Sequence, residues 1–539
     1  MRMLLLRIVR PAGFGEISPR NVRPSRVFTS PCRAIAAEPS RHTSNIPASQ
    51  RRFIGVSLAP HRRCPGRRPQ AVAFRSSPPD IGPAMEPLLS RIADEHFVPG
   101  VAAAAVADGR IVQVAAHGWR DLGRRLPMTI DTPSRWYSIS KPLTSLVVAR
   151  LVAAGKLSWD RPVSQLVPAA RFADPVATER ATIADCVLHR TGLISGDWTW
   201  VGAPSEPAEL LRRLPHVPCR PGFRLGHYYQ NLHFTILGEA LRAVGSDWHS
   251  EMRKMLAAIG VRPLTRLAEF VASDRALGYG PNGLSQPHPA EDFDFEGIAP
   301  ASAVCGSVTD LARVAQAVAL GGRELVSRQE FAHVTRPVLA VGRTDWPELR
   351  VPCAALAGRT VVYRGELALQ WAGGFTGYTA HLVAIPERRI AGVGLCNRSA
   401  SPAAEALAWS MLDHAAGWEA LPWADRFLEQ KKRNRQAGQE KLAARLARPA
   451  APWPDLEIPG RYVHGGYGEL TLTPDRRLLF RNVELPLVAR PDGTLSADGS
   501  SRDFAEICWD LRPVIEGGRM VGVDFGPDDP SAACRFTRA

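Results

Sequence analysis

Two groups of strand-like segments lie far apart in this 539-residue chain, with helical periodicity between them. That arrangement limits the folds open to it. At the front, residues 100–107 and 110–116 flank Asp108-Gly109, a dipeptide suited to a tight hairpin turn. Much later, residues 359–363, 367–373 and 378–385 have strand character, and Pro386-Glu387-Arg388-Arg389 turns the chain into 390–396. Helical spacing fills the middle over 183–189, 232–244 and 308–320, and returns at 401–416. Strands at both ends of a helical middle predict an α+β domain, an antiparallel sheet with helices packed against it.

Charge is informative only through its distribution. The formal net charge is +15, but residues 1–84 hold fifteen Arg, no Lys and only Glu16, Glu38 and Asp80 as acids. Most of the basicity therefore sits in an Arg/Pro-rich leader, and the remainder is close to neutral, so no nucleic-acid partner is expected of the folded part. The leader has no sustained periodicity and is expected to be disordered. It is also compatible with an organellar transit segment, or with an overlong start preceding Met85. Nine cysteines, odd in number and without a C-x-x-C pair, argue against a disulfide framework or zinc site and fit a reducing, cytoplasmic location. No apolar run reaches the roughly 18 residues of a membrane span. Residues 416–455 read as a charged helical spacer, and 456–539 as short strands and turns, a small β-barrel.

The candidate chemistry begins at Ser138-Ile139-Ser140-Lys141, heading an apolar helical run that Gly155 closes. Positions i and i+3 share a helix face, so the Ser138 hydroxyl and Lys141 ammonium come within reach of each other. A serine hydroxyl needs such a neighbour to become a nucleophile, and a helix N-terminus helps hold the oxyanion that follows. Two further stretches accompany it: Tyr229-Gln230-Asn231 at the start of an apolar helix, and the Gly-rich strand end Trp371-Ala372-Gly373-Gly374.

These three elements, in this order, resemble the serine hydrolases related to class C β-lactamases, DD-peptidases and family VIII carboxylesterases. The likeness spans residues 85–415 and extends to flanking features such as His189-Arg190-Thr191-Gly192 and Ile385-Pro386-Glu387. It implies the β-lactamase/DD-peptidase fold, with helices on both faces of the sheet and a helical subdomain, while 456–539 look like the lipocalin-like domain often appended to it. By the same resemblance Ser138 is the acylated nucleophile and Tyr229 its general base, with a pKa lowered by the Lys141 ammonium. Asn231 orients Lys141, and the backbone N–H groups of Ser138 and Gly374 form the oxyanion hole. Trp371 stands where penicillin-recognising members carry Lys or His; an indole cannot pair with a carboxylate, which tilts the expectation towards neutral or apolar carboxylic esters. Tyr228, adjacent to Tyr229, is a second phenol that could compete for the role. Substrate contacts are expected from Trp371, Gly373, Trp198 and Trp200, the last two in a Trp/Pro/Gly-rich insert at 194–222.

Other motifs are set aside. Gly278–Gly283 matches G-x-G-x-x-G, but Pro281 denies it a following helix. H-E-x-x-H and G-x-S-x-G are both missing from the sequence. His227 and His381 flank the site motifs and read as structural histidines. The expectation is a serine hydrolase needing no cofactor or metal, acting on a small ester or amide. A D-amino-acid peptidase or weak β-lactamase, and a catalytically idle scaffold on the same fold, stay open as alternatives.

Overall fold

The computed structural model describes residues 85–203, 206–280, 287–501, 504 and 506–539. The leader 1–84 and residues 281–286, which include half of the Gly278–Gly283 stretch, lie outside the described residues.

Nine strands form one antiparallel sheet in which the first hairpin and the late strands become neighbours. The order runs Leu126–Pro127, Arg110–Asp121, Gly100–Ala107, Ile390–Cys396, Tyr378–Ile385, Glu366–Phe375, Gly358–Tyr363, Leu349–Ala355 and Leu339–Ala340. Val101 lies opposite Cys396 and Val106 opposite Ala391, so chain segments almost three hundred residues apart share one ladder. The hairpin closes as its dipeptide predicts: Ala107 pairs with Arg110, while Asp108 and Gly109 take φ of 48° and 68°, the mirror-image turn whose twist suits a hairpin. The second strand runs on to Asp121, five residues beyond the expected end, because it goes on pairing with Gly100 and then with Pro127.

Small residues let helices approach both faces. Val101, Ala103 and Ala105 join a core with Leu89 and Ile92 of the helix Met85–Glu95 and Leu407 of the helix Ala403–Ala415. Ala102, Ala104 and Val106 face the opposite core, with Leu146 and Val147 of the helix Ser140–Ala153 and Val314 and Val318 of the helix Val308–Ala319. A side chain at Gly392 or Gly394 would overlap the carbonyl oxygens of Ala408 and Ala404. Each large apolar side chain buried this way contributes about 1.5–3 kcal/mol.

Eight strands, from Gly460–His464 to Cys534–Arg538, close into a C-terminal barrel whose first strand pairs with its last, Tyr462 opposite Arg538. Aromatic rings meet inside it: Phe480 lies 5.9 Å from Trp509 and 5.5 Å from Phe525 between ring centroids. The charged segment read as a spacer contains one long helix, Trp423–Leu446, held at both ends. Trp423, Ala424, Phe427 and Leu428 are buried at its start, and Arg445 near its end pairs with Asp498 and Asp510 of the barrel. No helix among the described residues is long and apolar enough to cross a membrane.

Candidate active site

Ser138 sits on a tight 3-10 turn, Tyr137–Ile139, that feeds the helix Ser140–Ala153; it is not in the first turn of the α-helix itself. The turn forces Tyr137 to φ 47°, a left-handed conformation that costs a bulky residue strain and that clusters at functional sites. The helix beneath is buried almost all round and ends as the sequence predicts, with Gly155 at φ 69°. On the other side the strand Glu366–Phe375 comes so close that only glycine fits at 373: a methyl there would overlap the Trp136 carbonyl oxygen and lie 2.8 Å from the Ser138 nitrogen.

The three sequence motifs converge on one hydroxyl. Lys141 Nζ donates to Ser138 Oγ at 3.0 Å, and Tyr229 OH donates to the same oxygen at 2.7 Å. Lys141 also donates to Asn231 Oδ1 at 2.7 Å and to the Ala301 carbonyl at 3.3 Å, so its three protons have three acceptors. Of the two adjacent phenols it is Tyr229 that reaches Ser138; the Tyr228 backbone is tied instead to the His189 carbonyl.

The segment carrying Tyr229 is fixed by a residue whose local signal, Thr182-Ile183-Ala184-Asp185, is that of a helix cap and not of a site. Asp185, fully buried, accepts from Arg224 Nε and Nη2 at 3.0 and 2.7 Å, from Arg190 Nε at 2.6 Å, and from Thr182. Burial works to raise its pKa, but the donors from Arg224, Thr182 and Arg190 outweigh that and hold the carboxyl below the ordinary range. Behind Tyr229, the His189 ring lies 4.7 Å away, with His233 and His227 beyond it. Burial pushes all three well down, His227 to about 4 and His233 to about 3, so this wall is uncharged at neutral pH. His381 is a structural histidine, placed between Gln370 and Glu405 under the helix Ala403–Ala415.

Two electrostatic features differ from expectation. Burial drives Lys141 down to about 7, with only the Asp197 carboxyl pulling it back up. Burial also drives Tyr229 well above the ordinary phenol value, and the bond to Ser138 does not offset it. The expected lowering by the ammonium fails because Lys141 faces the Tyr229 ring, 4.6 Å from its centroid, and desolvation dominates.

Above Ser138 lies a narrow cavity of about 10 Å³, roughly one water molecule, lined by Tyr137, Trp200, Phe295 and Phe375 together with Tyr229, Asn231, Ser302 and Gly374. The rings form a continuous wall: Trp200 is 5.5 Å from Phe375 and 5.8 Å from Phe295, and Tyr137 is 5.5 Å from Phe295. Gly374 and Trp200 therefore line the same cavity as Ser138. Trp371 and Trp198 are not among the lining residues. The Trp371 indole is 1% exposed, lies over Gly358 and donates to the Ala357 carbonyl at 3.0 Å. Trp198 packs on the barrel rings of Phe480, Phe504 and Trp509. Tyr137, Phe295 and Phe375, which carry the wall, went unrecognised in the sequence because nothing local separates them from core aromatics.

An antiparallel sheet clad with helices, a serine on the turn before a buried helix, and a lysine and a tyrosine on its hydroxyl define a β-lactamase-type serine hydrolase fold. The sequence profile of the beta-lactamase family matches residues 85–416, and the chain belongs to that family. Among characterised relatives, esterase EstB of Burkholderia gladioli is 32% identical over 243 residues, 41% of this chain and 60% of its own length. The D-aminopeptidase of Brucella anthropi is 28% identical over 243 residues, 42% of this chain and 44% of its own. The chain thus spans about half the length of these relatives. The octameric penicillin-binding protein homologue from Pyrococcus abyssi shares the fold with a TM-score of 0.55 at 21% identity, over 85% of this chain and 99% of that one.

Proposed function

We propose that this protein hydrolyses small, neutral carboxylic esters through an acyl-enzyme on Ser138. One observation carries the proposal. The hydroxyl bonded to Lys141 and Tyr229 opens into an aromatic cavity, and none of the described residues lining that cavity carries a charge. A site of this kind favours an apolar acyl group and offers a substrate carboxylate no fixed partner of its own.

The chemistry divides between the two neighbours of Ser138. In its neutral form, populated above about pH 7, Lys141 takes the hydroxyl proton as Ser138 Oγ attacks the ester carbon. The carbonyl oxygen becomes an oxyanion held by the Ser138 and Gly374 N–H groups. Collapse breaks the bond to the alcohol, whose oxygen leaves with the proton that Lys141 took from Ser138, while Tyr229, un-ionised, donates a hydrogen bond at the same oxygen. Water then attacks the acyl-enzyme by the same steps in reverse order, releasing the acid and restoring Ser138. Asn231 holds Lys141 on the hydroxyl throughout.

The likeness to a D-aminopeptidase supports a second candidate activity, cleavage of D-amino-acid amides at the same serine. The test is a panel of p-nitrophenyl esters of rising chain length, a D-alanine p-nitroanilide and a chromogenic cephalosporin, each with wild type and Ser138→Ala. Turnover of short esters that disappears in the variant supports the esterase. Turnover of the anilide or cephalosporin alone moves the assignment to the peptidase or β-lactamase. An inert wild type leaves the idle scaffold.

A further inference from the structure

The carbonyl end of Asn231 holds Lys141, and its amide end leads away from the reaction towards the barrel. Asn231 Nδ2 donates to Asp197 Oδ1 at 2.7 Å, and Trp200 Nε1 donates to the same oxygen at 3.0 Å. Asp197 Oδ2 accepts from Ser195 Oγ at 2.9 Å. On the far side of Ser195, at a long 3.4 Å, lies Oδ1 of Asp528, a residue of the barrel between the strand Arg519–Phe525 and the last strand. The backbone N–H groups of Asp197 and Trp198 face this carboxyl, as do the Tyr467 phenol and, further off, Cys534. Its Oδ2 is buried and has no hydrogen-bond partner among the described residues.

Proton counting gives this chain a direction. A hydroxyl has one proton to donate, so Ser195 can satisfy only one of the two carboxyls flanking it. Ser195 Oγ lies 2.9 Å from Asp197 and 3.4 Å from Asp528, so its proton goes to Asp197, whose carboxylate also accepts from Asn231 and Trp200. Asp528, buried beside it with an unpartnered oxygen, is then the neutral acid, donating to the Ser195 oxygen; burial and the nearby Asp197 raise its pKa well above normal. With Ser195 committed to Asp197, the carboxylate holds the amide end of Asn231. That leaves the Asn231 carbonyl, and not its NH₂, pointing at Lys141.

We infer that Asp528, supplied by the C-terminal barrel, is a positioning residue for the Ser138 reaction, acting through Ser195, Asp197, Asn231 and Lys141. The inference rests on Ser138 being the nucleophile. It makes the barrel part of the reaction's scaffold: the loop that carries Asp197 has Trp198 seated on barrel rings and Trp200 in the acyl wall, and Arg481 donates to its Trp198 carbonyl at 3.1 Å.

The test uses the full chain and its best ester, with thermal melts run beside the kinetics. Asp528→Ala is expected to lower kcat about ten-fold or more with KM within about two-fold, because Lys141 loses its orientation while the acyl wall stays. Asp528→Asn, whose amide can still donate to Ser195, is expected to restore kcat to within about two-fold of wild type. Arg220→Ala, which removes the neighbouring ion pair with Asp529 and the bond to Ser531, is expected to leave kcat unchanged. Ser195→Ala should lose as much as Asp528→Ala, and the double variant no more than either. A wild-type kcat in Asp528→Ala, an equal fall in Arg220→Ala, or no rescue by Asn would each overturn the inference. If Asp528→Ala does not fold, Ser195→Ala decides: an undiminished kcat there overturns it. Ser138→Ala is scored separately, since turnover persisting in that variant sinks the nucleophile assignment whatever the barrel variants do.

Discussion

The Ser138 end of the sheet and the C-terminal barrel are both strand-built, yet they put backbone strain and buried polar groups to different uses. In the barrel, left-handed non-glycine residues such as Arg476 at φ 62° and Arg481 at φ 58° sit in turns beside the strands Arg477–Phe480 and Val483–Ala489, where such angles merely reverse the chain. At the active site they sit on the chemistry: Tyr137 directly before Ser138, His189 under the Tyr229 ring, and Arg224 in the segment leading to Tyr229. Both regions bury polar groups, Arg490, Ser496 and Asp498 in the barrel and Lys141, Asn231, Asp197 and Asp185 at the site, but only the second set gathers behind a half-buried hydroxyl, that of Ser138. Burying unpaired polar groups is costly, so the site exists only because each partner is supplied from another segment. In the barrel the buried Arg490 is likewise paired, with Asp498 and Ser496, but these groups serve the packing of the barrel wall.

That contrast can be broken most directly at Ser138. Ser138→Ala should remove about 10³-fold or more of ester turnover, with only a small fall in melting temperature as Lys141 and Tyr229 each lose one acceptor. Gly373→Ala is expected to cost about 10²-fold or more in kcat, because the strand must retreat from Trp136 and the Ser138 nitrogen and take the Gly374 N–H with it; steady-state kinetics with a short ester reads this. A change to the apolar interior of the barrel, away from Asp528, should do the reverse. Leu495→Ala, at a fully buried barrel position, is expected to cost about 3 kcal/mol of stability by denaturant titration, with kcat per folded molecule unchanged. A kcat that fell with it would erase the distinction.

The smallest expected effect is on pH. Lys141 must be neutral to accept the Ser138 proton, and burial sets its pKa at about 7. Therefore kcat/KM should fall about ten-fold for each pH unit below that midpoint and level off above it. A limb centred instead near 10, where an ordinary ammonium titrates, would overturn the reading of Lys141 as an amine that is neutral near pH 7.

Much of this was legible in the chain itself. The hairpin at Asp108-Gly109, the helix stop at Gly155 and the sheet-and-helix architecture follow from turn chemistry and periodicity, which act over a few residues. Helical spacing pointed to Ser138 and Lys141, and the resemblance of the three motifs to a known family added Tyr229 and Asn231. The two tryptophans were misplaced. Trp371 and Trp198 carry the right apolar chemistry for a pocket, but whether an indole lines a cavity or packs beneath it depends on what lies opposite, here Gly358 and the barrel rings.

Sequence by itself therefore determined the local conformations, the fold class and the set of candidate reacting groups. Tertiary structure alone decided which phenol meets the hydroxyl, how far desolvation moves Lys141 and Tyr229, and that Asp185, Asp197 and Asp528 stand behind them. The reason is one of range. Turn and helix preferences are properties of neighbouring residues. Burial and charge pairing depend on which distant segments the folded chain brings within a few ångströms, and no spacing along the sequence encodes that distance.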